Sequence, residues 1–378
     1  MAWAWPWSWS WSLLALALTL PTAFPAWSAS ESSFWSRATQ SDADLDALLC
    51  ERHLATWISP VNLPALTTPP PNPVIRSPRY TVLVNSFERP VALEEFIRHH
   101  ERCPHVAEIH VIHSENPVAP TPHTHPHLFS LFVEVVFHPT PTKSFNNRFR
   151  FPASTFPTDA LIHMDDDIRL SCSDMDVMYE EVGTRRQYLY SSLILSFAVV
   201  LPLPTLLCPH FSAHQWRRDP SGMVSPFVRH HAYRWDDVGQ QCVMTYETTG
   251  HAPISHGTRY SLCLTKTAML HAGWNDIYTS RLPPSIHETV DRRRNCEDIA
   301  MAWLVHAANQ MSAALDQPPP TCRAVHLPRV QDLGGKGGKF YDSGVSRLEG
   351  HLEERSVCLD EFRRILGGSL LPTHVFPA

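Results

Sequence analysis

In HMDDDIRL, residues 163–170, three aspartates follow the apolar run ALIHM at 160–164. Three like charges at the end of a buried strand repel one another, so a divalent cation or solvent must neutralise them. The surrounding pattern sets the fold. YTVLVNSF (80–87), VAEIHVIHS (106–114), LFSLFVEVVFH (128–138) and TDALIHMDDD (158–167) each predict a strand. PVALEEFIRHHERC (90–103) predicts a helix with Pro90 in its first turn. SDMDVMYEEVG (173–183) predicts another, with Ser173 as cap and Asp176 three residues on. SFNNRFRF (144–151) predicts the start of a short helix. Strand and helix alternate, which predicts an α/β layered sheet. In such sheets ligands sit at the carboxyl ends of the strands, where Asp165, Asp166 and Asp167 stand.

The 378 residues suffice for one large domain or two small ones, and 43% hydrophobic content supplies a sizeable core. A net charge of −6 argues against nucleic-acid binding through a basic surface. Prolines cluster at 63–73, 116–127, 200–204 and 316–320, which read as linkers or surface loops. No charge precedes Glu31, and LLALALTL (13–20) resembles a signal h-region without the usual basic n-region. Residues 1–30 are therefore expected to be a signal peptide or a signal anchor, with a mis-assigned start as the third reading. Residues 31–75 read as a Pro-rich stem. LYSSLILSFAVVLPLPTLL (189–207) is uncharged and long enough to suggest a membrane span, but Pro202, Pro204 and its serines weaken that reading. Nine cysteines (50, 103, 172, 208, 242, 263, 296, 322 and 358) contain no CxxC pair, which argues against a zinc ribbon. In the secretory pathway some of them should pair, leaving at least one over. No Asn-x-Ser/Thr sequon adds support for that route.

The aspartate cluster fits a DxD-type site, in which one carboxylate holds Mg²⁺ or Mn²⁺ and a neighbour holds a ribose hydroxyl. A solvated acidic turn is the plainer reading, and the position after a buried strand favours the former. Glu297 and Asp298 follow Cys296 and read either as catalytic carboxylates or as charge complementing a helix N-terminus. Arg89, Arg148 and Arg355 suit a diphosphate, or are ordinary surface arginines. The histidines of PHTHPH (122–127) read as a solvated loop, because Pro-broken spacing sets no tetrahedral site. HETVDRRRNCEDIAMAWLVHAANQ (287–310) reads as a basic loop leading into an apolar helix. GGKGGKF (334–340) reads as flexible and basic, and SRLEGHLEERSVCLDEFRRILG (346–367) as an amphipathic helix.

YTVLVNSFERPVAL, NNRF, ALIHMDDDI, NCEDIAMAWL and HLEERSVCL occur in this order. Together they resemble the exostosin-like glycosyltransferases of glycosyltransferase family 64, over roughly residues 78–366. The resemblance implies a GT-A fold and a single catalytic domain over 76–378. It implies retaining, metal-dependent transfer from a nucleotide sugar, with Mn²⁺ or Mg²⁺ as cofactor. It places Asn85, Arg89, Asn116, Arg148, Asp165 and Asp166 at the nucleotide sugar and Asp167 at the metal. It makes Asp298, Glu297 and Arg355 catalytic and pairs Cys296 with Cys358 in a disulfide. The leading reading is transfer of an N-acetylhexosamine from a UDP donor to a glycan or glycolipid in the Golgi or endoplasmic reticulum lumen. A GDP-mannose-type transferase acting on glycosyl inositol phosphoceramide is the second reading. A catalytically silent partner subunit, in a homo- or hetero-oligomer, is the third.

The chain departs from the family pattern in several places. Asn85 stands where Gln is frequent, Glu297 where Asp is common, and Lys143 near a position that some members fill with Asn. Residues 184–220 read as an insertion between the helix after the aspartates and a strand like GMVSPFVRHHAY (222–233). That stretch is either an unspliced intron or a membrane-facing hairpin.

Overall fold

A computed structural model describes residues 49–50, 77–114, 117–179, 221–248, 254–255, 257–312, 322–343, 349–366, 371 and 374–376. Asn116, the expected signal, nearly all of the stem, the 184–220 stretch and Cys208 lie outside the described residues.

The strands are β1 Tyr80–Ser86, β2 Val106–Ser114, β3 Glu134–Thr140, β4 Ala160–Asp165, β5 Ile168–Arg169, β6 Met223–Ser225 and β7 Val228–Asp236. They continue with β8 Gln241–Glu247, β9 Arg259–Tyr260, β10 Leu262–Cys263, β11 Thr267–His271, β12 Cys322–Ala324, β13 Gln331–Asp332 and β14 His374–Val375. Seven of them form the central sheet in the order β12-β6-β11-β4-β1-β2-β3. β1 runs parallel to β2 and β4, and β11 runs antiparallel to β4 and β6. β1 and β11 are buried along their whole length, and β4 along all but Asp165. That burial on both faces explains their largely apolar sequence.

The helices are α1 Pro90–His100, α2 Cys172–Tyr179, α3 Gly273–Arg281, α4 Pro284–Arg293, α5 Glu297–Ser312 and α6 His351–Leu366. One core packs Leu93, Phe96 and Ile97 of α1 and Met175 and Met178 of α2 against Val82, Val84, Ile109 and Val111. A second packs Trp274, Trp303, Leu359 and Phe362 against Phe149 and Leu270. The α/β sheet with flanking helices is as expected.

Several boundaries differ from the sequence reading, each for a local reason. β3 begins at Glu134, not Leu128, because the Ser130 hydroxyl accepts from the N–H groups of Phe132 (3.0 Å) and Val133 (3.3 Å) and turns the chain. β4 ends at Asp165, and the chain turns through Asp166 and Asp167 so that β5 can pair with β13. Ser171, not Ser173, caps α2: its hydroxyl accepts from Asp174 N–H at 3.1 Å and donates to the Asp174 carboxylate at 2.7 Å. Asp176 instead accepts from the Tyr80 hydroxyl at 2.9 Å. Residues 287–293, read as loop, belong to α4, which buries Ile286, Thr289 and Val290 at helical spacing. The segment around NNRF forms a 3-10 turn, Phe145–Phe149.

Disulfides join Cys50 to Cys242, Cys103 to Cys172, Cys263 to Cys322 and Cys296 to Cys358. The last is the pair that the resemblance implied.

Candidate active site

β1 and β4 end side by side, with Asn85 opposite Asp165. A cavity of about 300 Å³ opens there. Asn85, Arg89, Arg148, Asp165, Asp167, Glu297, Asp298 and Arg355 all line it, although they come from distant parts of the chain. Asp166 is fully buried beside it, and Asn116 lies outside the described residues.

Two arginines compensate the three aspartates. Arg89 pairs with Asp166 and donates from Nη1 to Asp167 Oδ2 at 2.7 Å. Arg148 pairs with Asp165 through Nη2, while its Nη1 donates to Thr265 O (2.8 Å) and Oγ1 (2.9 Å). Arg148 is itself buried, and Nη1 lies 3.8 Å from Glu297 Oε1, so one guanidinium links the two acidic motifs. The Ser86 hydroxyl donates to Asp166 at 2.8 Å. Burial still pushes the Asp166 carboxyl up to about 7, because Arg89 and Ser86 only partly offset desolvation and the neighbouring aspartates.

Two buried acceptors are left over. Asp167 Oδ1 and Asn85 Oδ1 have no hydrogen-bond partner among the described residues. Buried polar atoms are normally bonded, so these two mark a place for a ligand. The backbone of the glycine-rich segment closes over Asp167. Leu333 N–H donates to Asp167 O at 2.9 Å, and a Cβ on Gly334 would lie 2.1 Å from Asp167 Oδ2. GGKGGKF is thus a fitted wall, not merely a flexible basic stretch.

The opposite wall is the junction of α4 and α5. Arg294 and Cys296 take left-handed backbone conformations there, with φ of 50° and 78°. Between them Asn295 is buried, and its Oδ1 accepts from Cys296 N–H (2.8 Å) and Arg355 Nη1 (3.0 Å). Arg355 Nη2 donates to Asp298 Oδ2 at 2.6 Å, and its guanidinium lies 4.5 Å from the centre of the Tyr246 ring. Burial pulls the Arg355 pKa down, but Asp298 beside it outweighs burial and holds it above its ordinary value. Burial, then the neighbouring Asp298, pushes Glu297 up to about 7. Burial, then Arg355, holds His351 down to about 4.

Sequence reading missed Ser86, Tyr246, Asn295 and Gly334. Asn295 stood inside the quoted NCED motif, and its left-handed neighbours have no signal in side-chain type. Tyr246 sits in an alternating strand, β8, that looks like any sheet residue.

Residues 80–182 and 210–375 match the glycosyl transferase family 64 domain. The chain therefore belongs to that family and is a glycosyltransferase. Glycosylinositol phosphorylceramide mannosyl transferase 1 of Arabidopsis thaliana is 26% identical over 292 residues, which are 75% of this chain and 71% of that protein. Exostosin-2 of Homo sapiens is 25% identical over 293 residues, 77% of this chain but only 33% of that protein. The chain thus spans about a third of that exostosin. A solved mannosyltransferase, PcManGT from Pyrobaculum calidifontis in complex with GDP-Man and Mn²⁺, aligns over 79% of this chain and 69% of its own, with 13% identity and a TM-score of 0.33.

Proposed function

We propose that the enzyme transfers a sugar, with retention of anomeric configuration, from a nucleotide diphosphate sugar to a glycan or glycolipid. One observation carries this reading: a single cavity joins the aspartate turn after β4 to the Asp298–Arg355 pair of α5 and α6. Asn85, Arg89, Arg148 and Asp165 hold the nucleotide sugar; Asp166, expected there too, is fully buried behind the cavity and instead braces Arg89, and Asn116 joins them through the family resemblance alone. Asp167 fits a hard cation, since Oδ1 is a buried carboxylate oxygen without a hydrogen-bond partner among the described residues; it would hold Mn²⁺ or Mg²⁺. Such an ion supplies positive charge against the leaving diphosphate.

The rest of the chemistry belongs to side chains. Negative charge grows on the diphosphate as the glycosidic bond breaks, and Arg355, fixed by Asp298, Asn295 and Tyr246, stabilises it with no reorganisation. Asp298 and Glu297 sit where a carboxylate can stabilise the cation-like sugar or orient the acceptor hydroxyl. Glu297, with its pKa near neutrality, can hold or release a proton there.

Two donor readings stand. The resemblance to exostosins supports UDP-N-acetylhexosamine. The Arabidopsis relative, 71% of whose length this chain covers, supports GDP-mannose and an inositol phosphoceramide acceptor. The length match gives the second reading the stronger support. Four disulfides support folding in the secretory pathway, Golgi or endoplasmic reticulum lumen. The family match passes over residues 183–209, which supports the reading of an insertion.

The test is Mn²⁺-dependent hydrolysis of a panel of UDP- and GDP-sugars by the full chain, since Cys50 is tied to Cys242. Hydrolysis of one donor, lost in Asp167→Ala, is expected. Nucleotide binding without turnover on any donor would overturn the reading in favour of a silent subunit.

A further inference from the structure

The cations beside the aspartate turn are already committed. Arg89 is bound to Asp166 and Asp167, and Arg148 to Asp165. Lys266, which also lines the cavity, donates to both carboxylate oxygens of Asp332 at 2.8 and 2.9 Å. Arg229, beside Tyr246, and Arg294, beside Asn295, belong to the opposite wall. Three carboxylates thus face two guanidinium groups before any donor enters. A divalent ion at Asp167 would offset the surplus aspartate charge and only part of a diphosphate. The charge on that diphosphate grows as it leaves, so a cation not bound to a carboxylate is wanted on the Asp167 side.

The glycine-rich segment supplies one. Gly338 N–H donates to Gly335 O at 2.8 Å, closing a turn with Lys336 and Gly337 at its tip. Gly337 has a φ of 83°, the left-handed conformation that such a turn needs in its third residue. A Cβ on Gly338 would lie 2.3 Å from Leu333 O, so the turn is folded tightly onto its own base. Ion pairs pin it on both sides, Asp332 to Lys266 before it and Lys339 to Glu95 of α1 after it. Lys336 is exposed and has no ion pair or side-chain hydrogen bond among the described residues. Of the nearby carboxylates, Asp332 and Glu95 are taken, and the exposed Asp342 is not bonded to it. The tip stands close to the site, because Gly334 is packed on the Asp167 carboxylate. Two steps of about 3.8 Å between Cα atoms put Lys336 at most about 7.6 Å from Gly334. A flexible four-carbon stem brings the ammonium back across that distance.

We infer, on the donor reading above, that Lys336 is a further catalytic residue: its ammonium bonds the outer phosphate of the donor, the one that carries the sugar. The electron pair of the breaking glycosidic bond stays on the diphosphate. Lys336 meets the added charge as a hydrogen-bond donor and keeps its own proton. A lysine serves phosphate as a compact point charge, and a tip bounded by glycines lets it approach closely.

The full chain with Mn²⁺ is treated with an amine-acetylating ester, alone and with saturating UDP, GDP, UMP or GMP, and each lysine is read by mass spectrometry. Lys336 should react freely without nucleotide and about tenfold more slowly with the diphosphate that binds. The matching monophosphate should not protect it. Lys339, on the same segment but paired with Glu95, should react alike in every sample. By calorimetry, Lys336→Gln should weaken diphosphate binding about tenfold and leave monophosphate binding as it is. Donor hydrolysis should fall with it, and Lys336→Arg should restore both. Diphosphate that binds the wild type without slowing acetylation of Lys336 overturns the inference and leaves the donor reading intact. Equal weakening of diphosphate and monophosphate binding in Lys336→Gln also overturns it, since the lysine would then only support the turn. Failure of both diphosphates to bind the wild type strikes the donor reading and this inference with it.

Discussion

Arg355 and Asp298 meet at 2.6 Å between α6 and α5, and the Cys296–Cys358 disulfide stands two residues before one and three after the other. The bridge fixes the distance between the helices, so it fixes the ion pair too. Replacing both cysteines by serine should cost about 2–4 kcal/mol of stability. Turnover per folded molecule should fall as well, because Arg355 loses its position. Urea unfolding together with active-site titration checks this. Full turnover in the folded fraction would separate the disulfide from the site.

The pair is buried, so its two halves are unequal partners in stability. Asp298→Ala leaves the Arg355 guanidinium without its charge partner and should cost about 3–5 kcal/mol. Replacing both at once, Asp298→Asn with Arg355→Met, should recover most of that stability and none of the transfer. Thermal unfolding of the three variants gives the coupling. Strictly additive losses would mean that the two side chains do not act as a unit.

Glu297 should make stability fall as pH rises. Its carboxyl moves from an ordinary 4.5 in the unfolded chain to about 7 in the folded one. Between those values the folded chain keeps the proton and the unfolded chain releases it, so each step up in pH favours unfolding. The total loss is roughly 3 kcal/mol, complete above neutrality and absent below pH 4.5. Glu297→Gln should flatten this slope, which unfolding between pH 5 and 8 measures. An unchanged slope would place the titration elsewhere.

The sheet was legible because β1, β2 and β4 are buried runs bounded by turn residues, and their apolar pattern is the fold. The acidic motifs were legible for a related reason: charge at the end of a buried strand, or beside Cys296, is costly enough to need an explanation. What compensates that charge was not. Arg89, Arg148 and Arg355 were read as ligands for a diphosphate, yet each is already bound to an aspartate in the folded chain. Sequence distance hides such pairs, since Arg89 and Asp167 are 78 residues apart. α4 escaped because its charged face outnumbers the three residues that it buries.

Gly334 is the residue whose role depends most on close approach. Any Cβ at this position would press into Asp167 Oδ2 at 2.1 Å, well inside contact distance. The backbone cannot easily retreat, because Leu333 N–H is bonded to Asp167 O and Leu333 O accepts from Phe340 N–H at 2.7 Å. The Asp167 carboxylate must therefore turn, breaking its bond to Arg89 and moving Oδ1. Gly334→Ala should cost about 1–3 kcal/mol of stability, as overpacking does. Mn²⁺ affinity, read by calorimetry, should fall at least about tenfold, since a hard-cation site depends on the placement of its carboxylate. Asp167→Asn should lose the ion without the packing strain. Gly334→Ala that binds Mn²⁺ as the wild type does would show that the Asp167 carboxylate is not where the cation sits.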